Sequence, residues 1–365
     1  MKIADVISFL EGFAHPSLQE DYDNTGLITG QAGWECTGII CSLDVTEEVL
    51  REAMEKKCNL VVAHHPIIFS GIRKLNGKDH VERTVISAIK NDIAIYAIHT
   101  NLDNISGGVS GRMASVLGLE NVSVLSTKGD TLKKLITFVP VDKADPVRNA
   151  IFMGGGGHIG NYSECSFSAE GMGTFKPGTE TNPYAGKAGT RHQENEIRIE
   201  VLLPAFKEEM IVKAMKEAHP YGEVAYDIIL LSNTTSLMGA GIIGDLPVPQ
   251  PGMQFLQTLK NAFGTPVIRH TQLTESPLKR IAVCGGSGSF LITKALAAGA
   301  DAFITSDIKY HQFFDGGSHM LICDIGHYES EQFTINLLQE ILGEKFPTFA
   351  VLKTSVNTNP VLYFK

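Results

Sequence analysis

No run of about 20 consecutive apolar residues occurs in this 365-residue chain, which excludes a membrane-spanning helix of ordinary length. The start, Met1-Lys2-Ile3-Ala4-Asp5, lacks the basic region and apolar core of a secretory leader, so a cytoplasmic protein is expected. Positive charge is also in deficit, with 31 Lys and Arg against 40 Asp and Glu, a formal net charge of −9. A broad surface for nucleic acid or anionic lipid needs clustered cations, so neither partner is expected. The six cysteines (Cys36, Cys41, Cys58, Cys165, Cys284, Cys323) form no CxxC pair, and several lie in apolar runs such as Ile39-Ile40-Cys41. They read as buried free thiols rather than a disulfide or zinc-thiolate framework. Gly285-Gly286-Ser287-Gly288, between a strand and a helix, is neither a GxGxxG nor a Walker motif and reads either as a phosphate cradle or as a tight structural turn.

What remains, at 43% hydrophobic and 19% charged residues, is the composition of a globular protein long enough for two or three domains. Residues 1–127 alternate helix and strand patterns. Ile3–Phe13 is apolar at helical spacing, Gly38–Leu43 is a strand, and Thr46–Lys57 is a helix with Thr46 as a candidate N-cap. Strands at Leu60–Ala63 and Ile93–Ile98 flank a helix at 81–91. This order predicts a mainly parallel sheet with helices on both faces.

Residues 128–235 change character. Strand Leu135–Pro140, helix Ala144–Met153, strand Cys165–Ala169, a Gly-, Pro- and Thr-rich loop over 171–189, strand Glu196–Leu203, helix Lys207–Ala218 and strand Tyr226–Leu231 make a split βαβ, ferredoxin-like count. After it, residues 236–365 return to α/β order: strands at Lys279–Cys284, Ala302–Thr305 and Met320–Asp324, and helices over 290–298 and 329–342. The expected architecture is therefore one bilobal α/β domain with mainly parallel sheets, interrupted by an inserted α+β domain.

The chemistry-bearing residues gather at strand ends. Leu60-Val61-Val62-Ala63 runs into His64-His65-Pro66, Ile95-Tyr96-Ala97-Ile98 into His99-Thr100-Asn101-Leu102-Asp103, and Leu321-Ile322-Cys323-Asp324 into Gly326-His327 with Glu331 one helical turn on. Neighbouring strand residues point to opposite faces, so two adjacent imidazoles share a site only where the chain leaves the strand, an exit that Pro66 favours. One packed and one solvated histidine would satisfy the same pair. Taken together, imidazoles and carboxylates without thiolates suit zinc, manganese, iron or cobalt, and their number exceeds what one catalytic metal needs. Asp44 and His311 are further candidates for lining the same cavity.

The combination of Asp23-Asn24-Thr25-Gly26-Leu27, Ala63-His64-His65-Pro66, His99-Thr100-Asn101-Leu102-Asp103, Thr305-Ser306-Asp307 with His311, and Gly326-His327 with Glu331 resembles the NIF-three-like dinuclear metal family. Its bacterial members are often labelled GTP cyclohydrolase 1 type 2 homologs, and the resemblance runs nearly the whole length of the chain. It implies two divalent metal ions per chain, zinc first, held by His64, His65, Asp103, His327 and Glu331, with Asp103 and Glu331 as bridges. It implies for His99 a supporting or proton-carrying role in catalysis. It further implies a PII/CutA-like insert, a ring-shaped homohexamer, and a hydrolase acting on a small molecule, of which GTP is the one the label names. A non-catalytic, metal-binding regulatory or scaffold ring with a ligand-sensing insert is the rival reading. Tyr22-Asp23 stands where many members have Trp-Asp, and Ser306 where a glycine is common; neither is a proposed ligand.

Overall fold

The computed structural model describes residues 1–364, which form two compact units: Met1–Thr127 together with the chain from Leu237 onward, and Lys128–Ser236. Among the described residues no helix is long and apolar enough to cross a membrane.

In the first unit, strands β1 (Gly26–Thr29), β2 (Ile39–Ser42), β3 (Leu60–Ala63) and β4 (Ala94–Ala97) join the last strand of the chain in a five-stranded sheet. Strands β2, β3 and β4 are buried at every position, Ser42 included, as their largely apolar runs require for a sheet covered on both faces. Helices Ile3–Phe13 and Thr334–Lys345 pack on one face, contributing Val6, Leu10 and Leu338 to one core, while Glu47–Glu55 and His80–Lys90 cover the other with Leu50, Ala53 and Val85. Helix entry is fixed locally: Thr46 accepts a hydrogen bond from the Val49 amide and Asp79 one from the Glu82 amide.

The unit contains a second sheet, begun by β5 (Glu120–Thr127). The chain then builds the other unit through β6 (Leu132–Pro140), β7 (Phe167–Phe175), β8 (His192–Pro204) and β9 (Tyr226–Leu230) before returning with β10 (Gly239–Gln250), β11 (Arg269–His270), β12 (Leu278–Ser287), β13 (Ala302–Ser306), β14 (Leu321–Asp324) and β15 (Val351–Lys353). The first sheet runs β1-β4-β3-β2-β15, parallel except for β1. The second runs β11-β14-β13-β12-β10-β5, with only β12-β13-β14 parallel and the other three pairings antiparallel. The expectation of mainly parallel sheets therefore holds for the first and fails for the second. Two of those three pairings are made by β10, whose Gly-Ala-Gly start and Pro247 and Pro249 carry little β propensity, so sequence pattern conceals a strand that pairing to β5 and β12 on both sides enforces.

Two other elements depart from expectation. The 329–342 helix is two helices, His327–Glu331 and Thr334–Lys345, with Gln332 at the break donating from its side chain to the Phe263 carbonyl. In the second unit, β7 runs to Phe175 rather than ending near residue 169, because the long β8 offers a backbone partner to every residue from Phe167 to Phe175. That unit is a four-stranded antiparallel sheet in the order β7-β8-β6-β9 with helices Ala144–Met153 and Glu208–Ala218 on one face.

Candidate metal centre

Strand β3 ends at Ala63, and the ladder continues for two more residues: the His64 amide donates to Ser42 and the His65 amide to Leu43. Beyond β4, His99 precedes a single turn of helix, Thr100–Asp103, that carries the carboxylate to the same edge. From the second sheet, Gly326, at φ +95°, turns the chain after β14 into the helix His327–Glu331. The two sheets of this unit thus aim their carboxyl ends at one point, where open α/β folds form sites.

Six of the residues singled out from the sequence, His64, His65, His99, Asp103, His327 and Glu331, meet there. Nε2 of His65 lies 2.9 Å from Glu331 Oε2 and Nε2 of His327 lies 3.1 Å from the same oxygen, with 3.4 Å between the two nitrogens. Nε2 of the fully buried His64 is 3.7 Å from Asp103 Oδ1 and 3.8 Å from Glu331 Oε1. Ligand atoms of His64, His65 and His99 lie within 4.8 Å of one another, so His99 stands in the cluster itself rather than behind it.

The remaining ring nitrogens are all taken. Nδ1 of His64 donates to the Ile98 carbonyl at 2.9 Å, that of His65 to Asp44 at 2.8 Å, that of His99 to Asp23 at 2.7 Å and that of His327 to Asp307 at 2.6 Å. Each bond fixes the tautomer that leaves an Nε2 lone pair facing the centre, the second layer that metal-ligating histidines require. These supports are themselves anchored: Thr358 donates to Asp44 at 2.8 Å, and Asp23 accepts from the amide and hydroxyl of Thr100. Asp307 adopts a left-handed φ of +56° directly after β13.

A test of whether these donors fit a cation is what they lack. His64 Nε2, Asp103 Oδ1 and Glu331 Oε2 are buried without a hydrogen-bond partner, a costly state for polar atoms unless an ion sits among them. Glu331 Oε2 touches two imidazole nitrogens at close range, yet neither contact has hydrogen-bond alignment. Two donors on one tetrahedral zinc at about 2.1 Å stand about 3.4 Å apart, within the spread of contacts observed here. The buried His and Glu groups therefore fit a metal ion.

Without one, protons take its part. Burial alone would lower the His65 imidazole, but its hydrogen bond to Asp44 and the negative charge of Glu331 raise it to about 10; His327, held by Asp307 and the charge of Glu331 against the same burial, rises to about 11. Burial pushes the Asp103 carboxyl up, and repulsion from Glu331 adds to it. Burial would likewise raise Glu331, but His327, His64 and His65 hold it well below the usual carboxylate range.

A cavity of about 520 Å³ opens on His99, Asp103 and Glu331, rimmed by Tyr22, Phe69 and Phe290. Among the described residues no lysine or arginine lines it. The glycine turn at 285–288 is structural: the Gly285, Gly286 and Gly288 amides donate to the hydroxyls of Ser110, Ser330 and Thr305, leaving none of these three for a phosphate. His311 is exposed, its ring edge-on to Tyr310, and lies outside the centre. Asp44 does belong, as an orienting group. Asp23 and Asp307 acquire the same role, which the strand-end pattern would have suggested for Asp307 but not for Asp23, in the loop before β1.

A sequence profile of the family described as Duf34/NIF3 (NGG1p interacting factor 3) matches residues 1–360. A protein of Halalkalibacterium halodurans named GTP cyclohydrolase 1 type 2 homolog is 38% identical over 371 residues, covering all of both chains. One of Staphylococcus aureus bearing the same name is 35% identical over 370 residues, again over all of both. The crystal structure of a Bacillus cereus protein related to NIF3 superposes with a TM-score of 0.88 at 35% identity, covering 100% of this chain and 99% of that one.

Proposed function

The chain belongs to the Duf34/NIF3 family, and from that premise we propose that it is a hydrolase working through two divalent cations, zinc first, with manganese, iron or cobalt as alternatives. The single observation that carries the reading is the set of buried, unpartnered donor atoms, His64 Nε2, Asp103 Oδ1 and Glu331 Oε2, converging from two sheets. His65 and His327 with one oxygen of Glu331 would hold the first ion; His64 and Asp103 with its other oxygen would hold the second, making Glu331 the bridge. Bound cations would supply positive charge and a water acidified toward neutrality.

The chain's own residues do the rest. Asp23 locks His99 through Nδ1, leaving Nε2 to take up and return a proton at the cavity wall. Its nearness to His64 and His65 also suits a third nitrogen ligand, and His99→Gln separates the roles: metal kept with turnover lost marks the proton carrier, metal lost marks the ligand. Tyr22, Phe69 and Phe290, exposed at 75%, 60% and 67%, offer ring faces to a flat substrate such as a nucleobase. With no lysine or arginine among the described residues of the lining, phosphate charge would rest on the cations. The relatives' name accordingly directs the substrate search to nucleotides.

The same reading takes residues 1–127 and 236–365 as one NIF-three-like domain, residues 128–235 as an inserted ferredoxin-like (PII/CutA-like) domain, and the working form as a cytoplasmic ring-shaped homohexamer. The rival, a non-catalytic metal-binding ring that senses a ligand through its insert, draws support from a cavity in the second unit larger than the one at the metal centre. Holo-protein assayed against a nucleotide panel beside Asp103→Ala decides between them. Turnover abolished by the substitution supports the hydrolase; no turnover with metal bound supports the rival.

A further inference from the structure

The four-stranded sheet of the second unit buries only one face. Ile197, Ile199 and Val201 of β8 point to the helices, so Glu196 and Arg198, alternating with them, face the other way. The segment after β7 closes over that second face, leaving a cavity of about 1070 Å³. At its floor lies Glu196, only 8% exposed. Its sole hydrogen-bond partner is the Tyr221 hydroxyl, 2.8 Å from Oε1, and it pairs with no cation among the described residues. A buried carboxylate held by one neutral donor is poorly compensated.

The walls are aromatic. Phe175 and Tyr221 have ring centroids 5.8 Å apart at 59°, and Tyr184 and Tyr221 6.0 Å apart at 56°, so the rings are inclined as sides of a box rather than stacked on each other. Phe138 also lines the cavity. The charged lining is three carboxylates, Glu170, Glu196 and Glu223, against Lys176 and Arg198, and Arg198 is already engaged by Glu200 at 2.9 Å. Glycine at 173 is what admits the carboxylate, since a Cβ there would overlap Glu196 Oε2.

We propose that this pocket binds a small organic cation, its ammonium group seated against Glu196 and enclosed by the faces of Phe175, Tyr184 and Tyr221. Ring faces attract cations through their quadrupoles, and the carboxylate supplies the countercharge. The site is separate from the metal centre and independent of whether that centre is catalytic.

The test is calorimetric titration of the full-length protein with tetramethylammonium, choline and spermidine, and with 3,3-dimethyl-1-butanol as the uncharged counterpart of choline. At least one cation should bind with Kd at or below about 1 mM while the alcohol does not. Glu196→Gln, which keeps the Tyr221 hydrogen bond, should weaken binding about tenfold or more, and Tyr184→Leu, on the exposed segment, about threefold. Metal content, measured on the same samples, should not change. Absence of binding by all three cations overturns the proposal, as does equal affinity for the alcohol or undiminished affinity in Glu196→Gln.

Discussion

Glu331 can occupy the candidate metal centre only because residue 286 has no side chain: a Cβ on Gly286 would overlap Glu331 Oε1. Gly286 also sits at φ +62°, where any L residue with a side chain is strained by about 1–2 kcal/mol. A turn at the end of β12 that looks like a phosphate loop in sequence is thus the seat for the carboxylate at the heart of the candidate metal centre.

Gly286→Ala should therefore displace Glu331 and empty the centre while leaving the helical and strand content intact. Elemental analysis beside far-ultraviolet circular dichroism checks this; full metal occupancy in the variant would show that Glu331 does not need its present position.

The orienting carboxylates should matter nearly as much as the ligands. Asp44→Asn and Asp307→Asn each remove the anionic partner of one imidazole, His65 or His327, and should weaken metal binding by about 10- to 100-fold. Competition against a chelating dye measures the change. Asp23→Asn should additionally lower thermal stability, because Asp23 also ties down the Thr100 amide and hydroxyl.

Acid should strip the metal. His65 and His327, raised to about 10 and about 11, give the metal-free fold stability that is complete below the ordinary imidazole range and lost as pH rises through those values. A cation needs the same nitrogens unprotonated, so its affinity should climb about tenfold per pH unit for each proton displaced, throughout the interval from about pH 6 to about pH 8 and onward toward those raised values. Affinity that is flat over that interval, after correction for the chelator's own protonation, would mean that these imidazoles are not ligands.

Thr358 joins the end of the chain to the centre through Asp44. Thr358→Val should loosen His65 and lower metal affinity by a smaller factor than Asp44→Asn, with no effect on cation binding in the second unit. The same dye competition distinguishes the two variants.

Much of the cluster was legible in the sequence because the candidate ligands sit where buried strands end, and such strands announce themselves as apolar runs: Leu60–Ala63 before His64, Ala94–Ala97 before His99, Leu321–Asp324 before His327. The helix Ile3–Phe13 was equally plain from its spacing. What stayed hidden depends on pairing or on distance. Strand β10 is glycine- and proline-rich and exists through its neighbours. Asp23 reaches His99 across 76 residues, and no local pattern marks that approach. Gly286 reads as a turn residue until Glu331 is seen against it.

The account rests on two metal ions sharing Glu331. Elemental analysis of the purified protein, wild type beside His64→Ala and Glu331→Ala, tests it most directly. The prediction is about two divalent ions per chain in the wild type, fewer in His64→Ala and almost none in Glu331→Ala, since both sites share that carboxylate. A wild type that holds no metal and takes up none on addition, or an Glu331→Ala protein that keeps its full complement, would contradict it.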